Sequence, residues 1–381
     1  MRHAESPWRW RFEFPALVTI AIVSAFGPVP LAARAGSYIQ TNLVSDIPGM
    51  ALTTDPNLKN PWGISSFTGG PFWVSNQGTS TSTLYTGDGT ARPLVVTTPT
   101  IVGGPNGPTG QVFNTSNDFV LANGGKALFL FADLNGTISG WNPTAGTVAQ
   151  IGVSPSGAVY TGLALATNGG SSFLYAADAR NNKIDVFNGT FGATSLAGSF
   201  TDPNLPSGFT VYNIQNIGGK LFVTYENEAT GGGVINEFDL NGNLIKRLTS
   251  NTDGGPLDSP WGMALAPKSF GQFGGDLLVG NEEDGHISAF DPTTGAYLGQ
   301  LTGPDGKPIA NTGLWGLAFG TGGLNGDPNT LYFAAGIDDE RHGLFGAISV
   351  IPEPSSIALA LIAAATLAAR RRFGRRVASR P

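Results

Sequence analysis

Six positions along this chain carry an aromatic ring or a hydroxyl, and all but one is followed by glycine: Trp62, Thr109, Thr161, Tyr212, Trp261 and Trp315. The exception is Tyr212, which is followed by Asn213. If the four aromatic faces reach solvent together, they suit stacking on sugar rings or on cations, which makes Trp62, Tyr212, Trp261 and Trp315 the candidate ligand-contacting residues. The alternative is that the rings pack on one another. A second set is acidic and accompanies the last three rings: Glu226 and Glu228, then Glu282, Glu283 and Asp284, then Asp338, Asp339 and Glu340. Carboxylates grouped in this way repel unless a cation or a partner's donors stand among them. Oxygen-rich clusters of that kind take calcium, and the candidate ligands are Glu226, Glu282, Glu283, Asp284, Asp338 and Asp339. No Asp-x-Asp-x-Asp-Gly loop accompanies them, so solvated surface acids are the competing reading.

Other chemistry has little to stand on. The chain has no cysteine, which removes disulfides, thiolate metal sites and cysteine nucleophiles. Between the chain ends only His286 and His342 supply imidazole. There is no Gly-x-Ser-x-Gly elbow, His-Glu-x-x-His helix or phosphate loop, and no catalytic residue is nominated. Asn76, Asp133, Asp178 and Asn281 each close a short apolar run and are expected to accept backbone hydrogen bonds in the turns that follow.

The elements that must position these side chains repeat. The six positions are separated by 47, 52, 51, 49 and 54 residues, a period that points to a repeat architecture. Each unit continues with a Gly-rich turn and a short run such as Phe72-Trp73-Val74, Leu221-Phe222-Val223 or Leu331-Tyr332-Phe333, rich in β-formers and too short for a helix. Glycine (55) and proline (26) are plentiful, and charged residues make up 13%, as suits many short strands joined by tight turns. The expected fold is an all-β, six-bladed β-propeller over residues 36–351, with four strands per blade. The last repeat ends after its third strand, so an isolated N-terminal strand at Tyr38–Ser45 is expected to complete it and close the ring.

Both ends read as addresses. Arg2, Arg9 and Arg11 precede an apolar run at residues 16–26 and then Ala33-Arg34-Ala35, so residues 1–35 read as a cleaved signal peptide. An uncleaved anchor is the alternative, although a span needs about 20 apolar residues. At the other end, Ile351-Pro352-Glu353-Pro354 is followed by an apolar stretch at residues 357–369 and by Arg370, Arg371 and Arg372. Residues 352–381 resemble a PEP-CTERM sorting signal. That resemblance implies an apolar sorting helix, transient anchoring in the inner membrane of a Gram-negative-type bacterium, arginines held on the cytoplasmic side, and processing by an exosortase-type enzyme. A simple tail anchor is the alternative. Without its two ends the chain keeps 24 acidic against 11 basic residues, a net charge of −13, which disfavours nucleic acid as a partner and favours cations.

The unit Tyr160-Thr161-Gly162-Leu163-Ala164 through Leu174-Tyr175-Ala176-Ala177-Asp178 to Asn182-Lys183-Ile184-Asp185-Val186-Phe187 is close to an NHL repeat, and most of the chain between its ends resembles NHL-type and gluconolactonase-like six-bladed propellers. The whole layout looks like that of a PEP-CTERM-tagged propeller family with no settled activity. Gluconolactonase-like propellers hold a divalent metal at the channel mouth through acidic and amide ligands. At the corresponding openings this chain offers only Asn213 as an oxygen donor of that kind. The function expected is therefore a non-catalytic binding module of the cell surface or extracellular matrix, for exopolysaccharide or another matrix component. A metal-dependent, lactonase-like hydrolase and a purely structural surface protein are the alternatives.

Overall fold

Each of the six recurring positions lies at the start of an innermost strand: Pro61–Ser65, Pro108–Phe113, Tyr160–Asn168, Thr210–Ile217, Pro260–Leu265 and Leu314–Phe319. In the computed structural model, which describes residues 37–351 apart from residue 156, these strands begin six sheets that form blades 1 to 6 of a β-propeller. The expected signal peptide and the sorting tail with its apolar helix lie outside the described residues.

The second strands are Phe72–Asn76, Phe129–Asp133, Ser171–Asp178, Lys220–Glu226, Leu277–Asn281 and Leu331–Ala335. They read as unbroken apolar runs because both of their faces are buried. Successive side chains in a strand point to opposite faces, so one strand serves two cores. Leu277 and Val279 pack with Phe222 and Ile235 of blade 4, whereas Leu278 packs with Leu314 and Phe333 of blade 6. The same alternation produces six apolar wedges, one between each pair of neighbouring blades.

Closure follows the expected route. Strand Tyr38–Ser45 pairs antiparallel with Leu344–Val350 of blade 6, with Tyr38 opposite Val350 and Ser45 opposite Leu344. Its side chains enter both adjoining wedges. Tyr38 is fully buried between blades 5 and 6 and donates to the Phe270 carbonyl (3.2 Å), while Leu43 and Val44 pack between blades 6 and 1. A two-residue strand, Thr53–Thr54, adds to the outside of the same sheet by parallel pairing.

Every inner strand carries a register shift against its second strand at the recurring position. A bulge re-aims one side chain, and here it recurs six times around the channel. The following glycine permits the neighbouring strands to approach: a Cβ on Gly262 would strike the Trp315 carbonyl, and one on Gly316 the Trp62 carbonyl. The same end of the channel carries the loops between second and third strands. From that end, strand Leu344–Val350 runs about 20 Å to the opposite end, as seven extended residues do.

Candidate functional site

The bulges bring Trp62, Tyr212, Trp261 and Trp315 together, but not as an open aromatic surface. They are 6, 7, 4 and 1% exposed and form a seventh apolar cluster. Trp62 and Trp315 stack with ring centroids 3.5 Å apart, and Trp261 stands edge-on to both at 5.9 and 5.8 Å. Tyr212 lies 5.7 Å from Trp315. Trp261 Nε1 crosses the channel to donate to the Thr161 carbonyl of blade 3 (3.1 Å), and Thr109 Oγ1 donates to the Tyr160 carbonyl (2.7 Å). The expectation of free stacking faces is thus corrected. Four large rings aimed at one axis bury more surface against each other than they could against a solvated ligand. Trp62 Nε1 is left buried without a partner among the described residues.

Asn213 is corrected as well. It takes the place of the opening glycine in blade 4, and its side chain bridges to blade 5, Nδ2 donating to the Trp261 carbonyl (2.7 Å) while Oδ1 accepts from the Ile214 amide (2.8 Å). Its polar atoms are committed to the ring.

The acidic residues divide into two groups. Asp284 pairs with His286 (3.0 Å), and Asp338 and Asp339 pair with Arg341 (2.9 and 3.7 Å). Glu226, Glu228, Glu282, Glu283 and Glu340 make no ion pair among the described residues, and the charges of all but Glu228 bear on Tyr212. Burial, and then the charges of Glu226, Glu282, Glu340 and Glu283, push the Tyr212 hydroxyl well above its usual range. Glu282 is pushed up to about 8 by burial first and then by Glu283, Glu340, Glu226 and Asp258. Glu226 is pushed up to about 7 by burial and by Glu228, against the opposing pull of the Ser259 hydroxyl. Burial also raises Glu340, resisted by Asn60, whose Nδ2 donates to its Oε2 (3.0 Å).

As calcium ligands, Glu226, Glu282, Glu283, Asp284, Asp338 and Asp339 do not converge. Among the described residues no three His, Asp or Glu side chains form a group that could hold a metal ion. The loops alternate inward and outward acids and divert half of them to local cations, so the carboxylates share a field without sharing a coordination sphere.

Two contributors lay outside the sequence-based candidates. Glu340 is turned to the mouth by a run of left-handed backbone at Asp338, Asp339 and Glu340 (φ 57, 51 and 60°), a conformation that L-residues adopt at a penalty of about 1–2 kcal/mol each. Asn60 joins that carboxylate to the aromatic plug, since its Oδ1 accepts from Trp315 Nε1 (3.1 Å). The signal for Asn60 is the repeated x-Pro-Trp-Gly of blades 1 and 5, in which Asn60 and Ser259 hold the same place. Of the turn-closing residues, Asp133 and Asp178 accept backbone hydrogen bonds as expected. Asn76 and Asn281 instead donate, to Thr81 and Thr83 and to the Pro256 carbonyl respectively. Beside Glu226 a groove of about 770 Å³ opens between blades 3 and 4, walled also by Ala179, Arg180, Thr210, Asn227 and Glu228.

No protein-family model matches the chain. Two uncharacterised proteins of Acanthamoeba polyphaga mimivirus are similar to it: one is 33% identical, covering 86% of this chain and 83% of its own length, and the other 31% identical, covering 86% and 88%. Among solved structures, a Penicillium chrysogenum alpha-L-arabinanase complexed with arabinobiose superposes with a TM-score of 0.55 at 12% identity, covering 82% of this chain and 99% of that one. At that identity the likeness is one of fold. The chain belongs to the same protein family as the two viral proteins, and it folds as a six-bladed β-propeller.

Proposed function

We propose that the chain is an exported, non-catalytic binding propeller of the cell surface or extracellular matrix, which takes a matrix component such as exopolysaccharide at the acidic end of its channel. One observation carries this reading: Glu226, Glu282 and Glu340, from three successive blades, make no ion pair among the described residues, and burial raises all three carboxyls above their usual range. Burial and like charges disfavour the ionised form of these groups, and a ligand that supplies hydrogen-bond donors or positive charge relieves that cost. The aromatic plug beneath them gives that site a rigid floor.

The test is an array of glycans and matrix fractions probed with the full chain, with and without calcium. The expected hit loses about tenfold in affinity when Glu226 and Glu340 are both replaced by glutamine, the loss typical of one or two charge-assisted hydrogen bonds. A hit that binds the double variant as well as the parent places the site elsewhere.

Export is carried by the two chain ends. The sequence Pro352-Glu353-Pro354, of a kind that disfavours helix, precedes a short apolar stretch, as in a sorting signal. Replacing Pro352 and Glu353 with alanine is expected to trap the protein in the inner membrane, as fractionation and surface labelling would reveal. Normal surface amounts of the variant would remove the sorting role of the tail.

A further inference from the structure

We propose that the outer edge of blade 3 receives an extended peptide segment of a partner protein, which adds to the blade as the rest of its fourth strand in the cleft between blades 2 and 3. The site lies on the flank of the ring and does not depend on how the acidic end is read.

Strand lengths point to that edge. The fourth strands Ala91–Thr97, Gln150–Val153, Leu244–Asn251, Tyr297–Gln300 and Tyr38–Ser45 hold four to eight residues, whereas that of blade 3, Ala193–Thr194, holds two. All six residues of the third strand, Lys183–Asn188, pair inward with residues 173–178, but only Val186 and Phe187 pair outward. Neighbouring residues of an antiparallel strand aim their backbone groups to opposite sides, so residues 183–185 present an outward N–H and C=O with no strand beside them among the described residues. The stub has a cause. Beyond Thr194 the chain leaves for blade 4, where the Gly198 amide donates to the Asn241 carbonyl (2.8 Å) and the Phe200 amide to the Gly242 carbonyl (2.9 Å). Leu196 and Phe200 pack between blades 3 and 4 on the way.

A cleft of about 540 Å³ occupies the place of the missing residues. Residues 183–187 line it one after another, as a cavity along the edge of a strand allows, whereas a cavity on a single face would meet alternate residues. Residues 152–154 of blade 2 line it as well. The third strands of the other blades are buried over their first four residues, but here Lys183 is exposed and Ile184 and Asp185 are half-buried. Blade 6 shows what fills such a place. Its fourth strand comes from the far end of the chain, so the fold accepts an outer strand that does not follow the third in sequence.

Register sets the partner's side chains, because residues opposite one another in a ladder share a face. Ile184 and Val186 turn toward blade 4, and Asp185 and Phe187 toward blade 2, where Tyr160 donates to Asp185 Oδ2 (3.0 Å) and Lys183 pairs with Asp185 Oδ1 (2.7 Å). The segment that fits therefore alternates apolar and polar residues over three to five positions, about 10–17 Å of extended chain. A saccharide could meet Lys183 and Asp185 but not the apolar Ile184 side of the same edge. Lys183 guards against flat association of whole sheets, as lysines on edge strands do, without occupying the ladder.

The experiment is hydrogen–deuterium exchange of the full chain with the acetylated and amidated pentapeptide Thr-Val-Thr-Val-Thr. At about 5 mM peptide and a Kd of about 1 mM, an outward amide within residues 183–185 is expected to exchange about sixfold more slowly, the factor that one-site occupancy gives. The same peptide N-methylated at every residue keeps its side chains and loses its donors, and should leave exchange unchanged. The rearranged peptide Val-Val-Thr-Thr-Thr, with the composition but not the alternation, should protect less. Cellobiose at the same concentration is the saccharide arm. Absence of protection at residues 183–187, equal protection by either control peptide, or equal protection along the outer edges of the other blades overturns the proposal. Protection by cellobiose and not by the peptide overturns it too, and makes the cleft a saccharide site.

Discussion

A chain lacking residues 38–48 is expected to be aggregated or rapidly cleaved by protease. The missing strand supplies Tyr38 to the wedge between blades 5 and 6, and Leu43 and Val44 to the wedge between blades 6 and 1. Full burial of each such side chain is worth about 1.5–3 kcal/mol, so the three together approach the whole stability of an ordinary domain, about 5–15 kcal/mol. Asp46 goes with them. Its carboxylate accepts from the Gly343 amide (2.9 Å) and meets His342 Nδ1 (2.7 Å), which fixes the start of the last strand. The free edge of Leu344–Val350 would then present unpaired backbone groups to other chains. Size-exclusion chromatography and limited proteolysis measure the outcome. A truncated protein that melts at the temperature of the intact one would show that the ring closes without this strand.

Trp315→Ala is expected to lower stability by about 3–5 kcal/mol, as deletion of a buried tryptophan typically does. Trp315 is 1% exposed, contacts all three other rings of the plug and is tied to Asn60. Its removal leaves a cavity at the axis where the inner strands converge, and strands held at both ends by neighbouring blades have little freedom to collapse into it. Trp261→Ala should act in the same direction, since that ring also spans the channel. Thr109→Ala removes a single hydroxyl, which donates to the Tyr160 carbonyl and lies within reach of the Ala132 carbonyl (3.3 Å), and should lower stability by only about 1 kcal/mol. Urea unfolding of the three variants gives the comparison. An unchanged midpoint for Trp315→Ala, together with lost ligand binding, would make the rings a contact surface after all.

The architecture was readable because the propeller writes its geometry into the chain at short range. Runs such as Leu277-Leu278-Val279 are apolar throughout because each sheet is covered on both faces, and the residue-Gly pairs mark where inner strands bend and approach one another. The lone strand at Tyr38–Ser45 was legible by subtraction, from a last blade one strand short. What the rings and acids do at the axis was not readable in this way. Whether Trp62 faces solvent or lies on Trp315 depends on the channel width and on the partner's rotamer, neither of which has a local signature. Glu282 and Glu283 are adjacent in sequence, yet the first is half-buried and the second exposed. Glu340 reaches the mouth only through three successive left-handed residues, which nothing in Asp-Asp-Glu announces.

The antiparallel pairing of Tyr38 with Val350 puts both points where the chain leaves the ring side by side, at the end away from Glu340 and Tyr212. The acidic loops and the two points where the chain leaves the ring therefore lie at opposite ends of the channel. Polarity of this kind needs no hinge or second domain, because the last strand fixes it.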